Sequence, residues 1–517
     1  MKDKIYEFLK RNWILIAILV LAFIIRIKYF NINSAVWWDE GDYLSLARKW
    51  AFGLSIPSIW VAHRTFLMPL IWAGLLKIVD NEFILRLSQL FFSMTSVFVT
   101  YLLGKEIFNK KVGLISSFLI SVFWLHLFLT GRLLIGLPSA MFLWISFYFF
   151  WKGYVKDEGK KAVWLAGLFM GLSIFARMAN LLIFIPFLLI FVIIKESDSW
   201  KEVIKLRFLK ILKDKRFWAF ILFLFLALSP YIGWLLAQTG GNPIEAVKIS
   251  LNLGRFQAIT SPGELVENTG VSTFMMYWSP IWEYISYYPT MLNLILFSIF
   301  IIGLFFFLDL FLGLDLIFKN RILQKKIFVL LWIIMPTVGY AVQGAGGQSY
   351  LQPRYLIVCA PAIFYVIGYG LLRINDYIKS KVKHGKWIGL AVILGILLFG
   401  GYSQLVYAKA NIESKKDSYL QVKEAALWMK EHSDPEDILI SNSIPQTIYY
   451  SDRYVTMLNE ANEKELLAKK PKFMAVSIYE RSDDWFYEYP VKNNLEVVQA
   501  YTLDGQNPSL IIYQMKS

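Results

Sequence analysis

Residues 13–43 read WILIAILVLAFIIRIKYFNINSAVWWDEGDY. The stretch opens on an apolar run of the length a helix needs to cross a bilayer, about 20 residues. No small-residue cleavage site follows. The run passes through Arg26 and Lys28 into an aromatic-rich loop, so it reads as a retained span and not as a signal peptide. Just beyond it, in Val36–Tyr43, Asp39 and Glu40 stand side by side at the membrane surface. Carboxylates placed there are costly unless solvated or used. One reading is a solvated loop with aromatic anchors. The sharper one is a catalytic base at the lipid boundary, with Trp37 and Trp38 fixing its depth.

The rest of the chain supports a membrane body. Of 517 residues, 57% are hydrophobic, 17% aromatic and only 18% charged, and the mean hydropathy is +0.50. Soluble domains carry roughly 25% charged residues. Eleven apolar stretches read as spans: 12–30, 83–104, 112–130, 138–151, 162–178, 180–194, 217–238, 289–308, 327–342, 355–372 and 387–406. The single cysteine, Cys359, excludes a disulfide framework and any cysteine-based metal site, and its apolar surroundings give it a packing role. Four scattered histidines make no metal cluster; His126, mid-span beside Trp124, reads as a core histidine.

Charge gives the orientation. There are 53 Lys+Arg against 38 Asp+Glu, a net +15. The segments 1–11, 105–111, 152–161, 195–216, 319–326 and 373–386 hold 28 of those basic residues. With eleven crossings all six fall on one side, which the positive-inside rule makes cytoplasmic. The excess is thus a topology signal and no evidence for nucleic-acid binding. The segment 195–216 is expected to lie on the inner leaflet as an amphipathic stretch. The opposite side receives the loops 31–82 and 239–288 and the C-terminal tail. The expected localisation is the plasma membrane, with a cytoplasmic N-terminus.

The tail, 411–517, carries 12 basic and 17 acidic residues, a net −5. Asp417-Ser418 is placed to cap a helix over about 419–432, and Pro435 stops it. Residues 438–440, 473–478, 495–501 and 510–513 read as strands and 461–469 as a helix. Two domains follow: a transmembrane body at 1–410 and a small extracytoplasmic α/β domain at 411–517.

An Asp-Glu pair just after the first span, followed by Tyr43 and a short amphipathic helix, resembles the polytopic GT-C glycosyltransferases, notably the protein O-mannosyltransferases and the lipid A aminoarabinose transferase. Other stretches agree in order and spacing across roughly 12–405. His63–Leu70 is similar to the family's basic/His-Pro-Pro-Leu segment, with Met68-Pro69 in place of the double proline. Arg86-Leu87, Gly131-Arg132, Gly171-Leu172 with Arg177, and Arg354-Tyr355-Leu356 with Pro361 resemble further family segments. Where many members carry a second Asp, this chain has Gly136–Ser139, which puts a second carboxylate there in doubt. Trp37–Gly41 is also similar to the Trp-Trp-Asp-Tyr-Gly motif of oligosaccharyltransferase catalytic subunits. That motif belongs in the soluble domain after the last span, so the match is positional coincidence.

The resemblance implies a mainly α membrane protein of GT-C fold with about eleven transmembrane helices. It also implies a polyprenyl- or dolichyl-phosphate-linked sugar donor, mannose being favoured, and a protein, lipid or glycan acceptor. Displacement at the anomeric carbon needs a base for the acceptor's hydroxyl proton. The leaving phosphate is a weak base and needs no general acid. Asp39 is assigned as base, with Glu40 orienting the acceptor or Asp39. The phosphate's charge calls for cations, and His63, Arg64, Arg132, Arg177 and Arg354 stand at the outer ends of spans. Tyr43, Glu283, Tyr287 and Tyr288 are the expected acceptor or sugar contacts, the last three in an aromatic-rich outer loop. No cofactor is assigned and the metal requirement stays open: a divalent ion would find Asp39 and Glu40 near and no clear third ligand. A transporter or lipid-linked-sugar flippase is the rival reading, yet it would favour charge deep in the spans and an internal repeat.

Overall fold

A computed structural model describes residues 2–54, 56, 64–204, 211–251, 272–312, 317–318, 320–344, 352–503 and 505–516. The chain starts on α1 (Lys2–Tyr29). Two helices of the loop expected at 31–82 follow, α2 (Trp38–Phe52) and α3 (Leu67–Ile78). Then come α4 (Glu82–Ile107), α5 (Lys110–Val122), α6 (Trp124–Thr130), α7 (Gly136–Phe150), α8 (Lys160–Ala176) and α9 (Ala179–Glu196). Later long helices cover Lys215–Gln238, Thr273–Phe305, Arg321–Gly344, Ala360–Lys381 and Gly385–Glu413.

Among the described residues, eight helices are long and apolar enough to cross a membrane, or nine if the bent pair α5–α6 counts as one span. The protein is an integral membrane protein. The expected count of eleven is not reached because α7 and α8 have 15 and 17 residues. The bend of 57° between α5 and α6 falls at Phe123, whose extended backbone interrupts the helix. Arg26 holds this break. Its guanidinium, fully buried, donates to the carbonyls of Ile120 and Ser121, which the interrupted helix leaves free, and to Ala22, Ser93 and His126. His126 Nδ1 must accept from Arg26, so Nε2 carries the hydrogen of the neutral ring.

The outer loop expected at 239–288 is partly helical. Residues 273–288, with their aromatic cluster, form the first half of Thr273–Phe305, whose N-terminus is capped by the Ser272 hydroxyl accepting from Met275 N–H. Asn293, in a left-handed conformation at φ 61°, divides this helix, and its side chain caps the second half by accepting from Leu296 N–H. Residues 205–210 of the expected amphipathic stretch, and 252–271 with Arg255, Glu264 and Glu267, lie outside the described residues.

The last membrane helix runs on to Glu413 and leads into the C-terminal domain. That domain is a five-stranded mixed sheet of order β2-β1-β3-β5-β4, with β1 Ile438–Ser441, β2 Tyr454–Thr456, β3 Phe473–Ser477, β4 Glu496–Thr502 and β5 Pro508–Gln514. β1 runs parallel to β2 and β3, while β5 is antiparallel to β3 and β4. The helix expected near 419–432 is Leu420–Glu431. Its expected cap is replaced: Tyr419 takes the cap position, and the Asp417 carboxylate instead accepts from the Ser34 hydroxyl at 2.6 Å. Two further helices, Ile444–Ser451 and Asp484–Lys492, were not anticipated.

Candidate active site

The site is assembled around α2. Trp37 has an extended backbone, and its N–H donates to Glu40 Oε2 at 2.7 Å, closing the helix's first turn. Glu40 Oε1 accepts from Leu133 N–H at 2.7 Å, which ties α2 to the loop after α6. The Glu40 side chain is 2% exposed and lies 3.9 Å from Arg132 NH1. Burial pushes its carboxyl up, and Arg132, Arg86 and the two backbone N–H groups pull it back down. Arg132 is equally enclosed, under the Trp37 ring at 3.7 Å, and donates to the Lys415 carbonyl. Trp37 therefore covers a buried cation inside the protein and does not act as the expected depth anchor in lipid.

Asp39, one residue earlier, faces the other way. Its side chain is 36% exposed, and Oδ2 accepts from Arg354 at 2.8 Å while Oδ1 lies 3.9 Å from Arg64. Arg354 stands on a 3-10 turn, Pro353–Cys359, that opens the Ala360–Lys381 helix. Two indoles, Trp144 and Trp332, donate to the Val358 carbonyl and fix that turn. Two guanidiniums lie over the Tyr355 ring, Arg177 at 4.2 Å and Arg354 at 5.6 Å, and Arg177 also lies over Tyr340 at 5.1 Å. Arg64, Arg177 and Arg354 thus gather on the Asp39 side, whereas Arg132 pairs with Glu40 beneath it. His63 lies outside the described residues.

Sequence reading missed one carboxylate. Asp42 sits one helical turn from Asp39, is only 7% exposed and forms an ion pair with Arg64. Burial and the neighbouring Asp39 raise its pKa to about 6 against the pull of Arg64. Its signal was the i, i+3 spacing in Asp39-Glu40-Gly41-Asp42, which puts Asp39 and Asp42 on one face of a helix.

The expected acceptor contacts separate. Tyr43 is buried edge-on to Trp72, with the Arg64 guanidinium over its ring at 5.8 Å. Tyr287 donates to the exposed Glu283 at 2.6 Å on the Thr273–Phe305 helix. Tyr288 turns inward to Thr337 at 2.6 Å and is enclosed in the helical core. Opposite α2, the C-terminal domain contributes Glu480, whose carboxylate accepts from Tyr419 at 2.9 Å. Burial raises the Glu480 pKa, with a further contribution from Asp39. Among the described residues, no three His, Cys, Asp or Glu side chains converge as a metal site.

Residues 63–234 match the family model described as dolichyl-phosphate-mannose-protein mannosyltransferase. The matched range contains Arg64, Arg132 and Arg177; Asp39 and Arg354 lie on either side of it. No curated protein matches the sequence. Among solved structures, ArnT from Cupriavidus metallidurans bound to undecaprenyl phosphate is similar with a TM-score of 0.60 at 12% identity, over 97% of this chain and 98% of that one. The Archaeoglobus fulgidus oligosaccharyltransferase tethered with an acceptor peptide gives 0.57 at 14% identity, over 91% of this chain and 70% of that one. The arabinofuranosyltransferase AftD from Mycobacteria gives 0.52 at 11% identity, over 98% of this chain and 40% of that one. The chain thus shares the fold of these membrane glycosyltransferases, and a third of its length matches the mannosyltransferase family model.

Proposed function

We propose that the chain transfers a sugar from a polyprenyl-phosphate carrier to an extracytoplasmic hydroxyl acceptor by inverting displacement, with Asp39 as base. One observation carries this reading: a part-exposed carboxylate held between two guanidiniums, Arg354 and Arg64, at the end of the membrane body. A donor phosphate competes for those guanidiniums. As they turn to it, Asp39 is released and accepts the acceptor's proton while the acceptor oxygen attacks the anomeric carbon. The phosphate leaves with the bonding pair, its charge held by Arg354, Arg64 and, behind Tyr355, Arg177. Glu40 touches neither substrate. It holds the turn that aims Asp39.

Mannose is the favoured sugar, supported by the matching family's description. The carrier class is supported by ArnT, whose structure holds undecaprenyl phosphate, and by the archaeal enzyme AglB, solved with dolichol-phosphate. A cytoplasmic N-terminus and an extracytoplasmic C-terminal domain follow from the distribution of Lys and Arg. The test is purified full-length protein incubated with radiolabelled polyprenyl-phosphate mannose and mixed hydroxyl acceptors. Donor turnover is expected in the wild type and not in Asp39→Asn. Turnover that survives in Asp39→Asn removes the base. Movement of the labelled lipid across sealed vesicles without sugar transfer replaces the enzyme by a flippase.

A further inference from the structure

The C-terminal domain grips α2 at three points. At Gly41, between Asp39 and Asp42, the helix backbone lies against the backbone of the Ile444–Ser451 helix. A Cβ there would stand 2.8 Å from the Pro445 carbonyl carbon and 2.9 Å from Gln446 N. Real Cβ atoms do not approach backbone so closely, so glycine is what permits the contact. One turn on, the Ser45 hydroxyl donates to the Pro445 carbonyl at 3.3 Å. One turn further, Arg48 holds Asp452 through two bonds of 2.8 and 3.0 Å, and Lys430 shares that carboxylate at 2.5 Å. The segment leading into α2 is held as well: Val36 N–H donates to the Tyr450 hydroxyl, and Ser34 N–H to the Lys416 carbonyl.

All these contacts lie on faces of α2 that leave Asp39 free. The membrane body and outer loop hold the other side of the helix through Glu40, the Asp39–Arg354 pair, Arg64 and Trp72, so the domain contacts on the face opposite Asp39 bear on the rotation of α2 about its own axis.

We infer that the C-terminal domain is the platform that aims the base, with Gly41, Pro445, Arg48 and Asp452 as positioning residues. The inference rests on Asp39 being that base. A short α2 would otherwise be free to roll, and misplacement of a reacting group by about 1 Å costs on the order of 100-fold in rate. Neither Gly41 nor Asp452 is in contact with the guanidiniums that receive the donor, so donor binding is expected to survive their replacement.

The experiment uses the full chain in lipid nanodiscs, with polyprenyl-phosphate mannose as the probe. Turnover is divided by the number of donor-binding sites measured in the same preparation. Gly41→Ala forces the two backbones apart. Asp452→Asn removes the charge and one of the two acceptor oxygens but keeps the backbone, since Asn also accepts the left-handed conformation found there at φ 55°. Both are expected to lower turnover per site by roughly 10- to 100-fold with the donor KM little changed. Asp452→Glu is expected to recover part of the loss. Glu465→Gln, at an exposed pair with Lys469 far along the domain, serves as the control and is expected to match wild type. Normal turnover per site in Gly41→Ala and Asp452→Asn, beside an inactive Asp39→Asn, overturns the platform and leaves the base standing. A loss of binding sites in step with activity also overturns it, because the contact is then merely structural. An active Asp39→Asn removes the base itself.

Discussion

Replacing Glu40 by glutamine separates two neighbouring carboxylates that look alike in sequence. Glu40 accepts two backbone N–H bonds of 2.7 Å, one on each oxygen, and faces Arg132 in a site closed to water. Glutamine keeps the size and offers one acceptor oxygen, so its NH2 group must oppose either Trp37 N–H or Leu133 N–H. At the same time Arg132, 1% exposed, loses its only carboxylate neighbour in ion-pair range among the described residues. Removing one partner of a buried ion pair costs about 3–5 kcal/mol. Asp39→Asn removes a half-open pair instead, for which about 0–1 kcal/mol is expected. Thermal unfolding of both full-length variants in one detergent, followed by turnover at a temperature where both are folded, reads the contrast. Glu40→Gln should melt clearly earlier and keep measurable turnover. Asp39→Asn should melt with the wild type and have none. A Glu40→Gln protein with wild-type stability and no turnover would refute the reasoning, since Glu40 would then act in the chemistry.

Asp42 predicts a pH dependence. Its folded pKa of about 6 exceeds the unfolded value, so the proton-bound fold is favoured below about pH 4 and this contribution fades as pH rises through 6, by roughly 3 kcal/mol in all. Asp42→Asn should flatten the stability profile between those limits, and an unchanged slope in that window would remove Asp42 as its source. Arg354→Lys keeps the charge and loses the planar fork that meets Asp39; the donor KM should rise roughly 10- to 100-fold, the worth of one charged hydrogen bond of about 1.5–3 kcal/mol. Arg26→Leu strips the carbonyls at the α5–α6 break of their donor, at about 1–3 kcal/mol for each one left unsatisfied. It should lower the melting temperature and weaken turnover together, because the loop after α6 carries Leu133, the anchor of Glu40.

Much of the membrane body was legible because uncharged apolar length is a one-dimensional signal. The helices α7 and α8 fall short of a full span since the aromatic-rich run at 138–151 passes into a π-turn at Trp151–Val155 and α8 stops at Arg177. The helix Ile444–Ser451 escaped notice because its Ile and Tyr content reads as strand, although Pro445 at its first turn is a helix-start signal. Arg354 and Asp39 could each be singled out, but nothing in a linear chain places side chains 315 residues apart at 2.8 Å.

Helix geometry forbids the neighbours Asp39 and Glu40 from working as a unit. Successive residues on a helix point about 100° apart, so at a boundary between core and solvent two adjacent acids cannot share one environment. One must turn inward, and the inward one needs backbone donors and a buried cation, which Trp37, Leu133 and Arg132 provide. The outward one, Asp39, is the one the proposed mechanism uses as base. Its partner on the same face is Asp42, three residues on. Asp39 and Asp42 meet the same arginine, Arg64, and a donor phosphate that draws Arg64 away must unpair both. On the proposed mechanism, protonation of Asp42 would lower the cost of that step, which gives a buried acid with a raised pKa a use beside the proposed base.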